Sequence, residues 1–533
     1  MTIKRKLDGK DIPGTSPSPR GKVSIRQMPS GVEGLDEILG GGFPEFSFNI
    51  IAGSPGCGKT TLANQVAFAN ATVKKPALYF TVLGEPAIKM LRYQQQYSFF
   101  DISKVGKSIR YVSLSEAALS KTFSEILAEI SKQVELLNPS VVIVDSFRSI
   151  SRKTLDSNGH EMDTQSFVQH LSVLLTSWQA TTFLIGEYTN DEMQGNPIFT
   201  VCDGLIVLSQ NVERDSMVRK LQVMKLRGQG SVPGLHTIRI GDFGLQAFSR
   251  TLGLLPVKTR AGRRRRLSFG VSELDAMTGG GIIEGSSVLL AGPSGTGKSA
   301  LATQFIEAGP RAKEAAIIAI FEERPEGYAW RAKCLGMDFS APLAKGTLEI
   351  LYLRPLDLSV DETMHAILNA IKRTGAKRLV IDSITGFEMA LAPGFRTDFR
   401  ESLYRMIAAL TCAGVTVVST VEIEDSFTSF AFSHYAISFL TDDILRLRYV
   451  EIDGEIRRIL VIVKTRAGDH SKDVREYVIT NLGVKVMDTC LEGYKAITTG
   501  LPKAEDMAQA QHQNGAARAS DKTTSSEPAK LRG

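Results

Sequence analysis

The stretch "GVEGLDEILGGGFPEFSFNIIAGSPGCGKT", residues 31–60, returns as "GVSELDAMTGGGIIEGSSVLLAGPSGTGKS", residues 270–299, without a gap. Lys59 recurs as Lys298, Pro86 as Pro325 and Lys225 as Lys464, each 239 positions later. A register held over that distance means one structural unit written twice. Each copy ends in a phosphate-binding loop pattern, "GSPGCGKT" (53–60) and "GPSGTGKS" (292–299). An apolar run precedes each loop and a helical stretch follows it ("TLANQVAFAN", "ALATQFIEAG"). The chemistry needs that context. Glycines let successive backbone N–H groups turn inward around a phosphate, the lysine reaches the β- and γ-phosphates, and the next hydroxyl faces Mg²⁺. A Gly-rich turn with an accidental lysine is the bland alternative, and its repetition in the same context argues against it.

The expected nucleotide contacts in the first copy are Gly53, Ser54, Pro55, Gly56, Cys57, Gly58, Lys59, Thr60 and Thr61. In the second they are Gly292, Pro293, Ser294, Gly295, Thr296, Gly297, Lys298, Ser299 and Ala300. ATP is the expected nucleotide and Mg²⁺ the expected cation. Thr60 and Ser299 offer it hydroxyls, while Asp145 in "VVIVDS" and Asp382 in "RLVIDS" offer carboxylates where apolar strands end. An Asp closing a strand means little alone. Two at matching places downstream of a P-loop mean more.

Outward from the loops, "FNIIAG", "ALYFTV", "SVVIVDS" and "TTFLIGE" read as short buried strands, as do "SVLLAG", "AIIAIF", "RLVIDS" and "VTVVST" in the second copy. These runs are apolar throughout and do not alternate, so both faces of each strand are expected to be covered. Segments with helical spacing, such as "TFSEILAEISKQVELLN", separate them. The pattern predicts an α/β fold of two tandem P-loop domains with mainly parallel central sheets. The expected organisation is a disordered basic N-terminal tail over 1–23, a first domain over 24–254, a basic linker over 255–266, a second domain over 267–497 and a disordered C-terminal tail over 498–533.

The chain's 533 residues, 43% hydrophobic and 23% charged, fit soluble globular domains. No apolar run approaches a membrane span of about 18 residues, and "MTIKRKLDGK" lacks the apolar segment of a secretory signal. Cys57, Cys202, Cys334, Cys412 and Cys490 show neither CxxC nor metal spacing, which fits a reduced, cytoplasmic setting. The net charge of +6 is concentrated in the N-terminal tail and the linker "PVKTRAGRRRRLS", so the remainder is net acidic. That speaks against a broad nucleic-acid footprint.

Glu322-Glu323 follows the strand "AIIAIF", and the same positions of the first copy hold Leu83-Gly84. A carboxylate at a sheet edge beside a P-loop can orient or deprotonate a hydroxyl that attacks the γ-phosphate. The bland alternative is an acidic helix start favoured by the helix dipole, with Pro325 in the first turn. Glu85, one position late, and Glu187, ending "TTFLIGE", are the first copy's possible substitutes. "VMKLRG" and "VIVKTRAG" set Lys225/Arg227 and Lys464/Arg466 two apart on a late strand, a pair of cations on one face suited to a phosphate.

The tandem copy, "GLDEILGGG" ahead of the first P-loop and its counterpart ahead of the second, "FEERP", "IDS" and "YVEIDGEIRR" together resemble the KaiC family of RecA-like ATPases. The resemblance covers about residues 24 to 490. It implies a double-ring homohexamer with ATP between subunits, so that both Lys/Arg pairs reach a neighbour's γ-phosphate. It also implies a Ser/Thr autokinase in the second ring, whose paired glutamates activate a hydroxyl on the adjacent subunit. Matching "TDDIL" to the family's "TDTII" puts Ser438 on the first of two adjacent acceptor positions and Phe439 on the second, with Ser433 and Thr441 as nearby hydroxyls. The resemblance implies an ATP-hydrolysing signalling protein whose first domain binds nucleotide with weakened catalysis. Clock-type or histidine-kinase partners would engage the C-terminal tail. Two other classes remain open: a RecA-type DNA-dependent ATPase or recombinase, and an ATP-stabilised hexameric scaffold without kinase activity.

Overall fold

The structure, a computed structural model, describes residues 25–82, 87–114, 123–147, 164–193, 196, 198–213, 216–250, 265–353, 358–391, 393–396, 399–423, 441–452, 454–466 and 468–490. Leu83, Gly84, Glu85, Ser433, Ser438, Phe439 and both expected tails lie outside those residues. The chain divides into two compact units, and among the described residues two nine-stranded sheets organise it.

In the second copy the strands stand in the order Leu348–Tyr352, Ala316–Ile320, Arg378–Asp382, Thr416–Glu422, Ser287–Gly292, Asp443–Ile452, Glu455–Lys464, Arg475–Thr480 and Gly483–Cys490. The first six are mutually parallel and the last three continue the sheet antiparallel. The first copy has the same plan. Ile109–Ser113, Ala77–Thr81, Val141–Asp145, Thr181–Glu187 and Phe48–Gly53 are parallel neighbours, followed by Gly204–Glu213, Ser216–Leu226, His236–Gly241 and Gly244–Phe248. Helices flank the sheets, which is the RecA-like α/β arrangement.

The uninterrupted apolar strands have the physical cause expected of them. Val288 and Leu290 face one core with Leu301, Phe305 and Ile306 of the helix Lys298–Arg311. Leu289 and Ala291 face a second core with Met364 and Ile367 of Val360–Thr374 and with Leu403 and Met406 of Phe399–Cys412. Alternate residues of a strand point to opposite faces, so a strand covered on both sides must be apolar at every position. Each buried Val, Leu, Ile, Phe or Met among them contributes about 1.5–3 kcal/mol relative to exposure.

This packing puts the phosphate-binding loops where a central strand meets its helix. Phe48–Gly53 and Ser287–Gly292 run into the loops, and the helices start at Lys59 and Lys298. The turn into each helix uses a left-handed residue, Gly58 at φ 101° and Gly297 at φ 91°. A Cβ at Gly58 would stand 2.6 Å from Ile240, and one at Gly297 would stand 2.3 Å from Ile479. The left-handed backbone therefore demands glycine there, and any side chain would also have to displace an isoleucine end.

Candidate nucleotide sites

In the second copy the loop, the strand ends and two helices, Lys298–Arg311 and Pro325–Cys334, line a cavity of about 440 Å³. Lys298 Nζ donates to the Gly292 and Pro293 carbonyls at 2.8 and 2.7 Å. Burial pushes its pKa down, against the pull of Glu422 and Asp382. Ser299 Oγ donates to Asp382 Oδ1 at 3.1 Å, and Thr420 Oγ1 donates to the same oxygen at 2.6 Å. Asp382 thus closes its strand with one carboxylate oxygen held by two hydroxyls.

Glu322 and Glu323 both line this cavity, together with Ser294, Gly295 and Gly297 of the loop. Ser383 Oγ donates to Glu322 Oε1 at 3.1 Å and accepts from the Gly386 N–H at 2.9 Å, so the first turn of the helix Ile384–Ala390 steadies that carboxylate. Glu323 bonds the Arg331 guanidinium, carried by the helix Pro325–Cys334. Burial pushes the Glu323 carboxyl above the usual glutamate range, Arg331 opposes this, and Asp382 and Glu322 reinforce it. The helix starts at Pro325 with Arg324 as its N-cap and Glu326 as the acid of its first turn, so Glu322 and Glu323 precede the helix.

In the first copy Thr60 Oγ1 donates to Asp145 Oδ2 at 2.8 Å, and Lys59 Nζ donates to the Ser54 carbonyl at 2.7 Å. Here the second hydroxyl on the carboxylate is Tyr79, whose OH donates to Asp145 Oδ2 at 2.8 Å. Burial raises the Asp145 pKa, with both hydroxyls and Lys59 opposing. The helix is braced through Asn64, which donates to the Thr60 carbonyl at 2.8 Å and accepts from Tyr111 OH at 2.9 Å. The second copy answers with Thr303, which donates to the Ser299 carbonyl at 2.6 Å and meets Tyr328 OH at 2.7 Å. Glu187, the possible substitute base, ends its strand exposed, paired in register with Gly53 as Glu422 is with Gly292.

The oxygen donors suit a small hard cation. Among the described residues no group of three or more His, Cys, Asp or Glu could hold a metal by itself. A hydroxyl and one carboxylate within hydrogen-bond reach is the sparse set that Mg²⁺ accepts when water and phosphate complete its shell.

The Lys/Arg pairs stand apart from the cavity lining of the second copy. Lys225 lies in Ser216–Leu226 and donates to the Thr200 carbonyl at 3.0 Å, and Arg227 pairs with Asp203 at 3.3 Å. Lys464 ends Glu455–Lys464 and donates to the Thr441 carbonyl at 2.7 Å, and Arg466 pairs with Asp442 at 3.3 Å. The arginines sit just beyond the strand ends, and each pair bonds neighbouring residues, Thr200 and Asp203 in one copy, Thr441 and Asp442 in the other. Thr441 is buried at 2% exposure, which keeps its hydroxyl from solvent. The sequence reading missed Thr420, Ser383, Arg331 and Tyr79. Only Glu422 had a signal, the recurrence of a strand-ending Glu at Glu187.

Fold and sites together define a tandem RecA-like P-loop ATPase. The family model described as "ATPase: KaiC" matches the chain twice, over residues 28–251 and 267–490, and the chain belongs to the KaiC ATPase family. It is 27% identical over 491 residues to the circadian clock oscillator protein KaiC of Prochlorococcus marinus subsp. pastoris, an alignment covering 90% of this chain and 94% of the relative. It is 28% identical over 489 residues to the protein of that name from Rippkaea orientalis, covering 90% and 92%. It is 28% identical over 492 residues to the circadian clock oscillator protein KaiC 1 of Synechocystis sp., again covering 90% and 92%.

Proposed function

We propose that this chain is an ATP-binding and ATP-hydrolysing signalling protein in which the second domain is a Ser/Thr autokinase and the first domain binds nucleotide with weakened catalysis. The observation that carries this reading is the second cavity, where Glu322 and Glu323 share one space with Lys298, Ser299 and Asp382. The first copy keeps Lys59, Thr60 and Asp145 but has Leu83-Gly84 at the positions of the pair.

ATP would lie with its phosphates on the loop N–H groups and Lys298. Mg²⁺, held by Ser299 and Asp382, would supply charge neutralisation at the β- and γ-phosphates. Glu323 or Glu322 accepts the proton of the attacking hydroxyl, water in hydrolysis and a Ser or Thr side chain in phosphorylation. Lys464 and Arg466, held on one side of a strand end, would serve a neighbouring copy's γ-phosphate in a homohexamer of two rings, and Lys225 and Arg227 would serve the first ring. The net acidic body of the chain supports this reading over a DNA-dependent motor.

Glu323→Gln and Glu322→Gln test it. Removing the base lowers ATP turnover by about 10² to 10⁴-fold, and the active chain incubated with ATP carries phosphate on Ser438 in a phosphopeptide map. Full turnover in both variants contradicts the role of the pair, and a map without phosphate on Ser438 contradicts that acceptor.

A further inference from the structure

Arg331, carried by the helix Pro325–Cys334, lines the second cavity together with the phosphate-binding loop's lysine. Its guanidinium bonds Glu323 Oε1 and lies 3.9 Å from Asp382 Oδ2. Its guanidinium carbon is 4.9 Å from the ring centroid of Tyr328. That ring is buried, and its hydroxyl is tied to Thr303, which in turn bonds the Ser299 carbonyl. The arginine is therefore aimed by a platform continuous with the loop's own helix. The first copy places Arg92 at the equivalent position 239 residues earlier, exposed on the helix Ala87–Gln94.

Resting on the reading of Glu323 as a proton acceptor, we infer that Arg331 is a positioning residue of the second site: it holds the Glu323 carboxylate in the cavity between the loop and Asp382. A carboxylate on a short flexible stem samples several rotamers, and a misplacement of about 1 Å costs roughly 100-fold in rate. A guanidinium fixes it through a planar, directional contact that an ammonium does not reproduce. Because Arg331 sits beside Asp382 as well, it also balances the negative charge that three neighbouring carboxylates concentrate there.

Steady-state ATP turnover and binding of a fluorescent ATP analogue are measured on the full chain carrying Arg331→Ala, Arg331→Gln, Arg331→Lys, Glu323→Gln and the double change R331A/E323Q. Arg331→Ala and Arg331→Gln lower kcat about 10- to 100-fold, leave nucleotide affinity within about threefold, and Arg331→Lys restores the rate only in part. The double variant turns over no more slowly than Glu323→Gln, since a residue acting through another adds nothing once that partner is gone. Arg92→Ala leaves turnover unchanged. Wild-type kcat in Arg331→Ala and Arg331→Gln overturns the inference while leaving Glu323 in its role, provided Glu323→Gln is impaired. Loss of nucleotide affinity in step with kcat also overturns it, by making Arg331 a binding or structural group. Full turnover in Glu323→Gln overturns the underlying role and the inference together.

Discussion

At Glu323 two physical effects compete: burial favours the protonated carboxyl and Arg331 favours the carboxylate. Burial is the larger, so the group titrates above an ordinary glutamate. The sign for activity follows. A base must be ionised, so turnover present at neutral pH is lost as pH falls through this raised pKa, earlier than a solvated glutamate would dictate. A pH profile of kcat is predicted to show an acid limb above the usual glutamate range that disappears from the residual activity of Glu323→Gln. An acid limb at the ordinary glutamate value would contradict it. Lys298, Ser299, Asp382 and the glutamate pair were legible in the sequence because each belongs to a motif at fixed spacing. Thr420 and Ser383 were not, because their roles arise where register and a turn bring them beside Asp382 and Glu322.

The helix Ile384–Ala390 shows how an element holds a proposed catalytic group, Glu322, through Ser383. A Cβ added at Gly386 would come within 2.2 Å of Glu322 Oε1, the far end of a flexible side chain that can move aside. Alanine is favoured over glycine in a helix, by up to about 1 kcal/mol in an interior, so Gly386→Ala, in the first turn, is predicted to melt no lower than the parent while displacing Glu322 and lowering turnover about tenfold. A variant that melts lower, or one with parental turnover, would show that the close approach does not set the carboxylate's position. At this scale the central strands were readable because burial on both faces forces an unbroken apolar run. The outer parallel strands Ile109–Ser113 and Leu348–Tyr352 are buried only in part and read less clearly. The antiparallel extension was harder still. Strands such as Ser216–Leu226 bury only Ser216, Leu221 and Val223 and carry Arg219, Lys220 and Lys225, so only the repeated Lys/Arg spacing drew attention to them.

Across the whole molecule, duplication preserved the nucleotide-holding set in both copies and left the glutamate pair in one. Lys59, Thr60 and Asp145 superpose in role on Lys298, Ser299 and Asp382, down to a second hydroxyl on each aspartate supplied by different elements, Tyr79 in one copy and Thr420 in the other. The proposed division of labour, with nucleotide in the first domain serving assembly and nucleotide in the second being consumed, rests on that difference. The most direct measurement compares Lys59→Ala with Lys298→Ala for particle mass by light scattering and for ATP turnover and phosphorylation on the same samples. Lys298→Ala is predicted to remain assembled and to lose turnover and phosphorylation, while Lys59→Ala shifts toward smaller species at matched concentration. Intact phosphorylation in Lys298→Ala, or assembly unaffected in Lys59→Ala with turnover lost there instead, would contradict it.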